Sequence, residues 1–119
     1  MVTVRRGDIV TVDLGRRDDD DTRGHEVYKE RPAVVIQNDT GNERSGTTIV
    51  APVLDGFTGY PFQVDLPAST PGLRKDSHAA LDQIRTVDIA ERVLDNVGGV
   101  GAQRMDDIDR AIRLSLGLR

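Results

Sequence analysis

Residues 31–38 read Arg-Pro-Ala-Val-Val-Ile-Gln-Asn, and this stretch decides the fold. Its three consecutive β-branched residues favour a strand in the centre of a sheet. Pro32 stands at the entrance of the run, where its missing backbone N–H costs least. We therefore predict that residues 31–38 form a central strand.

Further strand-like segments lie on both sides of this run. Residues 7–14 alternate apolar and polar side chains imperfectly, which indicates a half-buried strand. Residues 47–54 return as another strand, and shorter strands are expected near residues 62–66, 79–87 and 94–97. Five or six short strands at such close spacing predict a small barrel or sandwich.

The polar segments between these strands are predicted to be turns and loops. Residues 39–42, Asp-Thr-Gly-Asn, have turn chemistry. Residues 16–30 are polar and lack any period, so they predict a long exposed loop, a kind of segment that often carries function. The block Asp18–Asp21 in that loop lacks the ligand spacing of a calcium loop, and we interpret it as solvated chain.

The C-terminal segment has a different period. Apolar side chains recur there at helical spacing and predict one amphipathic helix over residues 103–116, on Met105, Ile108, Ile112 and Leu116. Gly117 is expected to end that helix. A chain of 119 residues fits one domain, and we expect a single domain over residues 1–119.

Composition excludes several classes of protein. The absence of cysteine excludes disulfides, thiolate zinc sites and a cysteine nucleophile, and two histidines leave little for a metal centre. No apolar run approaches a membrane span and no secretion signal is evident, so we expect a cytoplasmic protein. The net charge of −4 restricts any nucleic-acid contact to a local site. With two Phe, two Tyr and no Trp, a small barrel would be marginally stable alone, which favours a dimer.

The densest group of chemically competent residues is Gly24-His25-Glu26, followed by Arg31. A loop carboxylate close to an arginine at a strand entrance places a possible base beside a cation. The alternative is a surface ion pair of little energetic value. His25 adjoins the carboxylate and is a candidate phosphate contact, whereas His78 begins an apolar segment and is expected to be packed or solvent-facing.

A second group is formed by residues 82–88, Asp-Gln-Ile-Arg-Thr-Val-Asp. In a strand, alternate residues would place polar groups on both faces, which a purely structural barrel strand avoids. Two interpretations stay open. Either these side chains face a ligand, or Arg85 and Asp88 clamp neighbouring loops.

Taken in order, the motifs resemble the MazF/PemK/Kid family of toxins. The resemblance rests on residues 6–9, 24–26, 31–39, 48–52, 60–62, 81–88 and 115–118, and it spans essentially the whole chain. It implies a small SH3-like barrel of five to seven short strands with a C-terminal α-helix. It also implies a homodimer, sequence-selective cleavage of single-stranded mRNA, and a cognate antitoxin whose C-terminal segment binds the dimer groove.

The resemblance also assigns roles to residues of this chain and implies no cofactor or metal. Arg31 matches the catalytic arginine of the family, Glu26 its loop glutamate, and Asp82 the acidic residue used as base in some members. The implied RNA-binding residues are His25, Lys29, Gln83 and Arg85.

The implied chemistry suits a chain without metal ligands. RNA supplies its own nucleophile, the 2′-OH, so the protein needs a base, Asp82 or Glu26, and a cation to stabilise the crowded phosphate. The products are a 2′,3′-cyclic phosphate and a 5′-OH end. Arg31 suits the phosphate, because its planar fork can contact two oxygens.

Leu54 falls where the family usually has a catalytic threonine. This departure leaves an alternative, a catalytically weakened homologue that binds RNA or antitoxin. A second alternative is a gyrase poison like CcdB, which shares the fold class. The Arg-Pro and 82–88 motifs, and a C-terminus without Trp, oppose that alternative.

Overall fold

The computed structural model describes residues 1–16 and 23–119. Seven strands and three helices follow one another in them: β1 (Asp8–Asp13), β2 (Glu30–Val35), α1 (Asp39–Arg44), β3 (Thr47–Asp55), β4 (Gln63–Leu66), β5 (Ser77–Ala80), β6 (Arg85–Asp88), α2 (Ile89–Arg92), β7 (Val93–Gly99) and α3 (Ala102–Leu116). The prediction of a mainly β fold with a C-terminal helix is thereby confirmed.

All the strands belong to one antiparallel sheet in the order β4-β5-β3-β2-β1-β7, with β6 paired to β3 outside that path. Strand β3 is long enough to serve three neighbours, because its first half pairs with β6, its middle with β2 and its end with β5. Among the described residues, the strands at the two ends of this order, β4 and β7, each pair with one neighbour. The sheet is therefore not closed. Strand β2 lies in the centre of the sheet, as predicted, but it ends at Val35 and not at residue 38.

The sheet is buried on both faces, and successive residues of its strands enter two different hydrophobic clusters. On β1, Ile9 packs in one cluster and Val10 in the other; on β2, Val34 and Val35 divide in the same way. This two-sided burial explains why β2 ends in the consecutive apolar residues Ala33, Val34 and Val35, since both faces of that half are covered.

The expected strand over residues 79–87 was wrong. Strand β5 ends at Ala80 and β6 begins only at Arg85, and the connection is a turn in which the Gln83 N–H donates to the Ala80 carbonyl at 3.0 Å. Polar side chains on both supposed faces of a strand are therefore the signature of a turn. Asp82 and Gln83 lie in this turn.

The expected turn at residues 39–42 was also wrong, because these residues begin helix α1. The Asn38 side chain caps the helix by accepting the Gly41 N–H. The helix directs Asn42 into the protein, where its Oδ1 accepts the buried Thr48 hydroxyl at 2.6 Å. Asn is common both in turns and at the N-cap of a helix, and the capping by Asn38 was not predicted from the sequence.

The loop before β2 is seen in part. Residues 23–29 form neither helix nor strand, which agrees with the predicted loop, and β2 starts at Glu30. The Asp18–Asp21 block lies outside the described residues.

Helix α3 covers one face of the sheet by packing Ile108 and Ala111 into the cluster that contains Ile9. Leu116, expected on the buried stripe, is 53% exposed. The helix ends at Gly117, whose left-handed backbone (φ 70°) lets its N–H bond to carbonyls of the last turn, as predicted. Across residues 1–16 and 23–119, no helix is long and apolar enough to cross a membrane.

Candidate active site

Four of the residues predicted for the site line one surface cavity of about 140 Å³. Glu26 reaches it from the loop before β2, Asp82 and Gln83 from the turn between β5 and β6, and Arg85 from the start of β6. Pro52 of β3 is also part of the lining. The sheet thus assembles carboxylates, an amide and a guanidinium from segments far apart in sequence.

The turn that carries Asp82 is held from several directions. Its own hydrogen bond joins Gln83 to Ala80, and the buried Leu81 anchors its first half. The Ser115 hydroxyl of α3 donates to the Leu81 carbonyl at 2.9 Å. The Asp82 side chain is exposed, but its Oδ1 accepts a hydrogen bond from the Gln63 Nε2 at 3.1 Å. Asp82 therefore has a fixed backbone and a partly constrained carboxylate.

Glu26 is held differently, because its carboxylate closes a turn within its own loop. Its Oε1 accepts the Arg23 N–H at 2.8 Å, while its own N–H donates to the Arg23 carbonyl at 3.1 Å. The adjacent His25 contributes its main-chain carbonyl, which accepts from the Gln83 Nε2 at 3.3 Å. This bond ties the loop to the turn that carries Asp82. The His25 side chain is exposed.

Arg31 lines a second cavity, of about 340 Å³, which also contains Asp55, Arg74 and Lys75. The β1–β2 ladder sets Arg31 opposite Val12, and its Nε donates to the Tyr28 carbonyl at 2.9 Å. Arg31 and Glu26 thus have separate partners, and the ion pair considered as an alternative is not formed. The two cavities meet β3 at consecutive residues, Pro52 and Val53.

The second cavity contains an ion pair between Lys75 and Asp55, whose Nζ and Oδ2 atoms are 3.0 Å apart. The hydrogen bond from Lys75, together with the nearby charges of Lys75 and Arg31, holds the pKa of Asp55 below its ordinary value. Asp55 is therefore an anion at neutral pH. An exposed pair of this kind is worth little energetically.

The remaining predicted RNA contacts surround the end of β1. Lys29 adopts a positive φ of 78°, unusual for a residue with a side chain, and its backbone bonds to Gly15 and Leu14. Its ammonium lies 5.3 Å from the centre of the Tyr28 ring. Arg85 faces the cavity and also approaches the Leu14 carbonyl at 3.4 Å.

Residues 82–88 divide between the two interpretations left open for them, and contact with a ligand stays a prediction. Gln83 and Arg85 line the cavity, whereas the Asp88 side chain caps α2 by accepting the Glu91 N–H at 2.9 Å. His78 is buried, with its Nδ1 2.8 Å from the Gly56 carbonyl, so it is packed, one of the two placements expected for it.

Gln63 is a neighbour of the site that the sequence did not reveal. It precedes Asp82 by nineteen residues and approaches it only because β4 pairs with β5. A register between distant strands leaves no local pattern in the sequence, so no signal pointed to Gln63. Within residues 1–16 and 23–119, no group of three or more His, Cys, Asp or Glu side chains is arranged to hold a metal ion.

Fold and site together define a small antiparallel β protein with a C-terminal helix and a polar cavity lined by two carboxylates, an amide and a guanidinium. Residues 5–116 match the family described as PemK-like, MazF-like toxin of type II toxin-antitoxin system. The chain belongs to this family of toxin endoribonucleases.

Two curated relatives cover nearly the full chain. Endoribonuclease MazF9 of Mycobacterium tuberculosis is 40% identical over 121 residues, spanning 97% of this chain and 98% of the relative. Endoribonuclease MazF of Staphylococcus epidermidis is 38% identical over 117 residues, spanning 97% and 92%. The predicted family and enzyme class are confirmed by these findings.

Solved structures share the fold. The crystal structure of MazF from Deinococcus radiodurans has a TM-score of 0.82 at 24% identity, covering 99% of this chain and all of that one. A MazE–MazF structure from the same organism has a TM-score of 0.76 at 22% identity and covers both chains fully. An endoribonuclease from a mycobacterial species, in complex with its cognate antitoxin, has a TM-score of 0.77 at 22% identity, covering 98% and 97%.

Proposed function

We propose that this chain is a metal-independent, sequence-selective endoribonuclease that cleaves single-stranded mRNA. The observation that carries the proposal is the cavity in which Glu26, Asp82, Gln83 and Arg85 meet. Two carboxylates there are candidates for the base, while an amide and a guanidinium supply donors for phosphate or base edges.

The proposed reaction uses the 2′-OH of the RNA as nucleophile. A carboxylate, Asp82 or Glu26, takes the proton from the 2′-OH, and the 2′-oxygen attacks the adjacent phosphorus. The bond to the 5′-oxygen of the next nucleotide breaks, and this oxygen takes a proton from a solvent water to leave as a 5′-OH. The products are a 2′,3′-cyclic phosphate and a 5′-OH end.

Arg31 is proposed to stabilise the phosphate as negative charge develops on it. Its bond to the Tyr28 carbonyl holds the root of the guanidinium, and a guanidinium held in advance costs little reorganisation during the reaction. Its planar fork can donate to two phosphate oxygens at once. The cavity that holds Arg31 adjoins the Asp82 cavity at Val53 and Pro52 of β3, and the proposal places the scissile phosphate across that boundary.

The RNA chain is proposed to contact His25, Lys29, Gln83 and Arg85 around the cavity. These are local contacts, in agreement with a net charge of −4. We further propose that the whole of residues 1–119 acts as one domain, as a cytoplasmic homodimer. A cognate antitoxin would bind the groove of that dimer through its C-terminal segment; membership of a toxin–antitoxin family supports this proposal.

Cleavage is expected to persist in excess EDTA, because the base, the cation and the nucleophile are all supplied by the protein and the RNA. The measurement is incubation of purified protein with a defined RNA in EDTA, followed by mapping of both new ends. Loss of cleavage on chelation, restored by Mg²⁺, would overturn the mechanism. Products with 3′-OH and 5′-phosphate ends would also overturn the mechanism.

Leu54→Thr is expected to raise the single-turnover rate by roughly ten- to a hundredfold. Leu54 lies on β3 two residues beyond Pro52, which lines the Asp82 cavity. Alternate residues of a strand share a face, so Leu54 is on the same face of β3 as Pro52. A threonine hydroxyl there would donate to the charged phosphate, a contact worth about 1.5–3 kcal/mol, and about 1.4 kcal/mol corresponds to a tenfold change in rate.

Leu54→Val is the matched control, because valine has the shape of threonine without its hydroxyl. It is expected to leave the rate near that of the wild type. Equal rates for the two variants would show that a hydroxyl at this position does not reach the phosphate. If neither the wild type nor Leu54→Thr cleaves RNA, the catalytically weakened binder becomes the better description of the protein.

A further inference from the structure

Three side chains form a chain of hydrogen bonds that leads to the candidate base. The Thr58 hydroxyl donates to the Gln63 Oε1 at 2.7 Å, and the Gln63 Nε2 donates to the Asp82 Oδ1 at 3.1 Å. Thr58 lies in the loop after β3, Gln63 is the first residue of β4, and Asp82 lies beyond β5. These hydrogen bonds therefore link three separate segments of the protein.

The sheet register places Gln63 beside Asp82. Gln63 is the cross-strand partner of Ala80, and Asp82 follows Ala80 by two residues. Asp82 lies in the turn directly after β5, so this pairing brings it within reach of the long Gln63 side chain. The contact thus follows from the backbone arrangement of β4 and β5.

The orientation of the Gln63 amide follows from the acceptor and donor types of its neighbours. An ionised carboxylate only accepts hydrogen bonds, so the Nε2 of Gln63 must face Asp82. Its Oε1 then faces Thr58, whose hydroxyl must donate its proton to it. The Thr58 loop is itself fixed, because the Thr58 N–H donates to the Asp65 carboxylate at 2.9 Å.

We propose that Gln63 is a positioning residue that aligns the Asp82 carboxylate with the RNA, and that Thr58 sets the orientation of the Gln63 amide. The proposal rests on the proposed ribonuclease function. An exposed aspartate samples several rotamers, and a donor on one of its oxygens restricts it to the geometry in which the other oxygen takes the proton. Because the Thr58 hydroxyl donates its proton to Gln63, it does not replace the hydroxyl donor that a threonine at position 54 would provide.

Gln63→Met is expected to lower the single-turnover rate about three- to tenfold with RNA affinity unchanged, the loss that corresponds to one hydrogen bond. Methionine keeps the length of the side chain and removes the amide. Thr58→Val is expected to have a smaller effect in the same direction, and Thr58→Ser to recover the rate relative to Thr58→Val. Gln103→Met, at an exposed glutamine of α3, is the matched control and is expected to leave the rate unchanged.

The decisive measurement is a double-mutant cycle with Asp82→Ala. If Gln63 acts through Asp82, Gln63→Met has no further effect on the residual rate once the carboxylate is gone. A merely structural role would give the same loss in both backgrounds and would overturn the proposal, as would a loss of RNA affinity at an unchanged rate. The side-chain amide resonances of Gln63 provide a readout apart from activity, and they are expected to shift in both Asp82→Ala and Thr58→Val. Unshifted resonances would overturn the proposal.

Failure of this proposal is distinguishable from failure of the proposed function. Wild-type protein that cleaves RNA, together with additive effects in the cycle, overturns the role of Gln63 alone. Wild-type protein that cleaves no RNA overturns both. If Gln63→Met disturbs β4, the variants Thr58→Val and Thr58→Ser still test the proposal, because Thr58 is exposed and its replacement should not affect folding. Unchanged midpoints of thermal unfolding would verify that these variants are folded.

Discussion

Replacing Arg31 by Ala is expected to abolish measurable RNA cleavage while leaving the fold intact. Loss of one preorganised charge-stabilising donor typically lowers a rate by about a hundred- to a thousandfold. The structural cost is small, because the side chain is half-buried and its guanidinium bonds to one main-chain carbonyl, that of Tyr28. The measurement is the single-turnover rate, with thermal unfolding as the test of the fold.

Arg31→Lys is expected to recover only a little of the rate. Lysine restores the charge, but its ammonium is a point charge and does not donate two parallel hydrogen bonds to a phosphate. The matched control is Arg74→Ala, which removes a guanidinium from the same cavity without touching the proposed chemistry. If Arg74→Ala lowers the rate as much as Arg31→Ala does, Arg31 acts only through the general charge of the cavity. Full activity in Arg31→Lys would show that a point charge is sufficient.

The local parts of the fold could be predicted from the sequence. Consecutive β-branched residues indicate strand β2, and apolar residues at helical spacing followed by a glycine indicate helix α3. These features depend on neighbouring residues alone. The turn at Asp82 was missed because its polar residues were assigned to the two faces of a strand, and α1 because its Asn38 cap resembles turn chemistry.

The candidate site could be predicted as a set of residue types but not as a geometry. The motifs identified Glu26, Asp82, Gln83 and Arg85, and the structure brings them into one cavity. Asp82, Gln83 and Arg85 bond to residues distant in the sequence, and such long-range contacts leave no local trace in it. The same reason explains why the placement of Arg31 in the second cavity was not foreseen.

Asp82→Asn is expected to lower the single-turnover rate by about a hundred- to ten-thousandfold, the usual contribution of a general base, and to exceed the effect of Glu26→Gln. The structure distinguishes the two carboxylates by what holds them. Glu26 closes a turn of its own loop through the Arg23 N–H, whereas Asp82 stands on a fixed turn with Gln63 bonded to one oxygen.

Both substitutions keep the shape of the side chain while removing its negative charge and its ability to take a proton. The glutamine oxygen at position 26 can still accept the Arg23 N–H, and asparagine at position 82 can still accept the Gln63 amide through its oxygen. The loop and the turn should therefore persist, so a lost rate reports on proton abstraction. The rates are measured with one RNA under single-turnover conditions, and RNA affinity is measured in parallel. A larger loss in Glu26→Gln would make Glu26 the base, and Asp82 would then serve to bind the RNA.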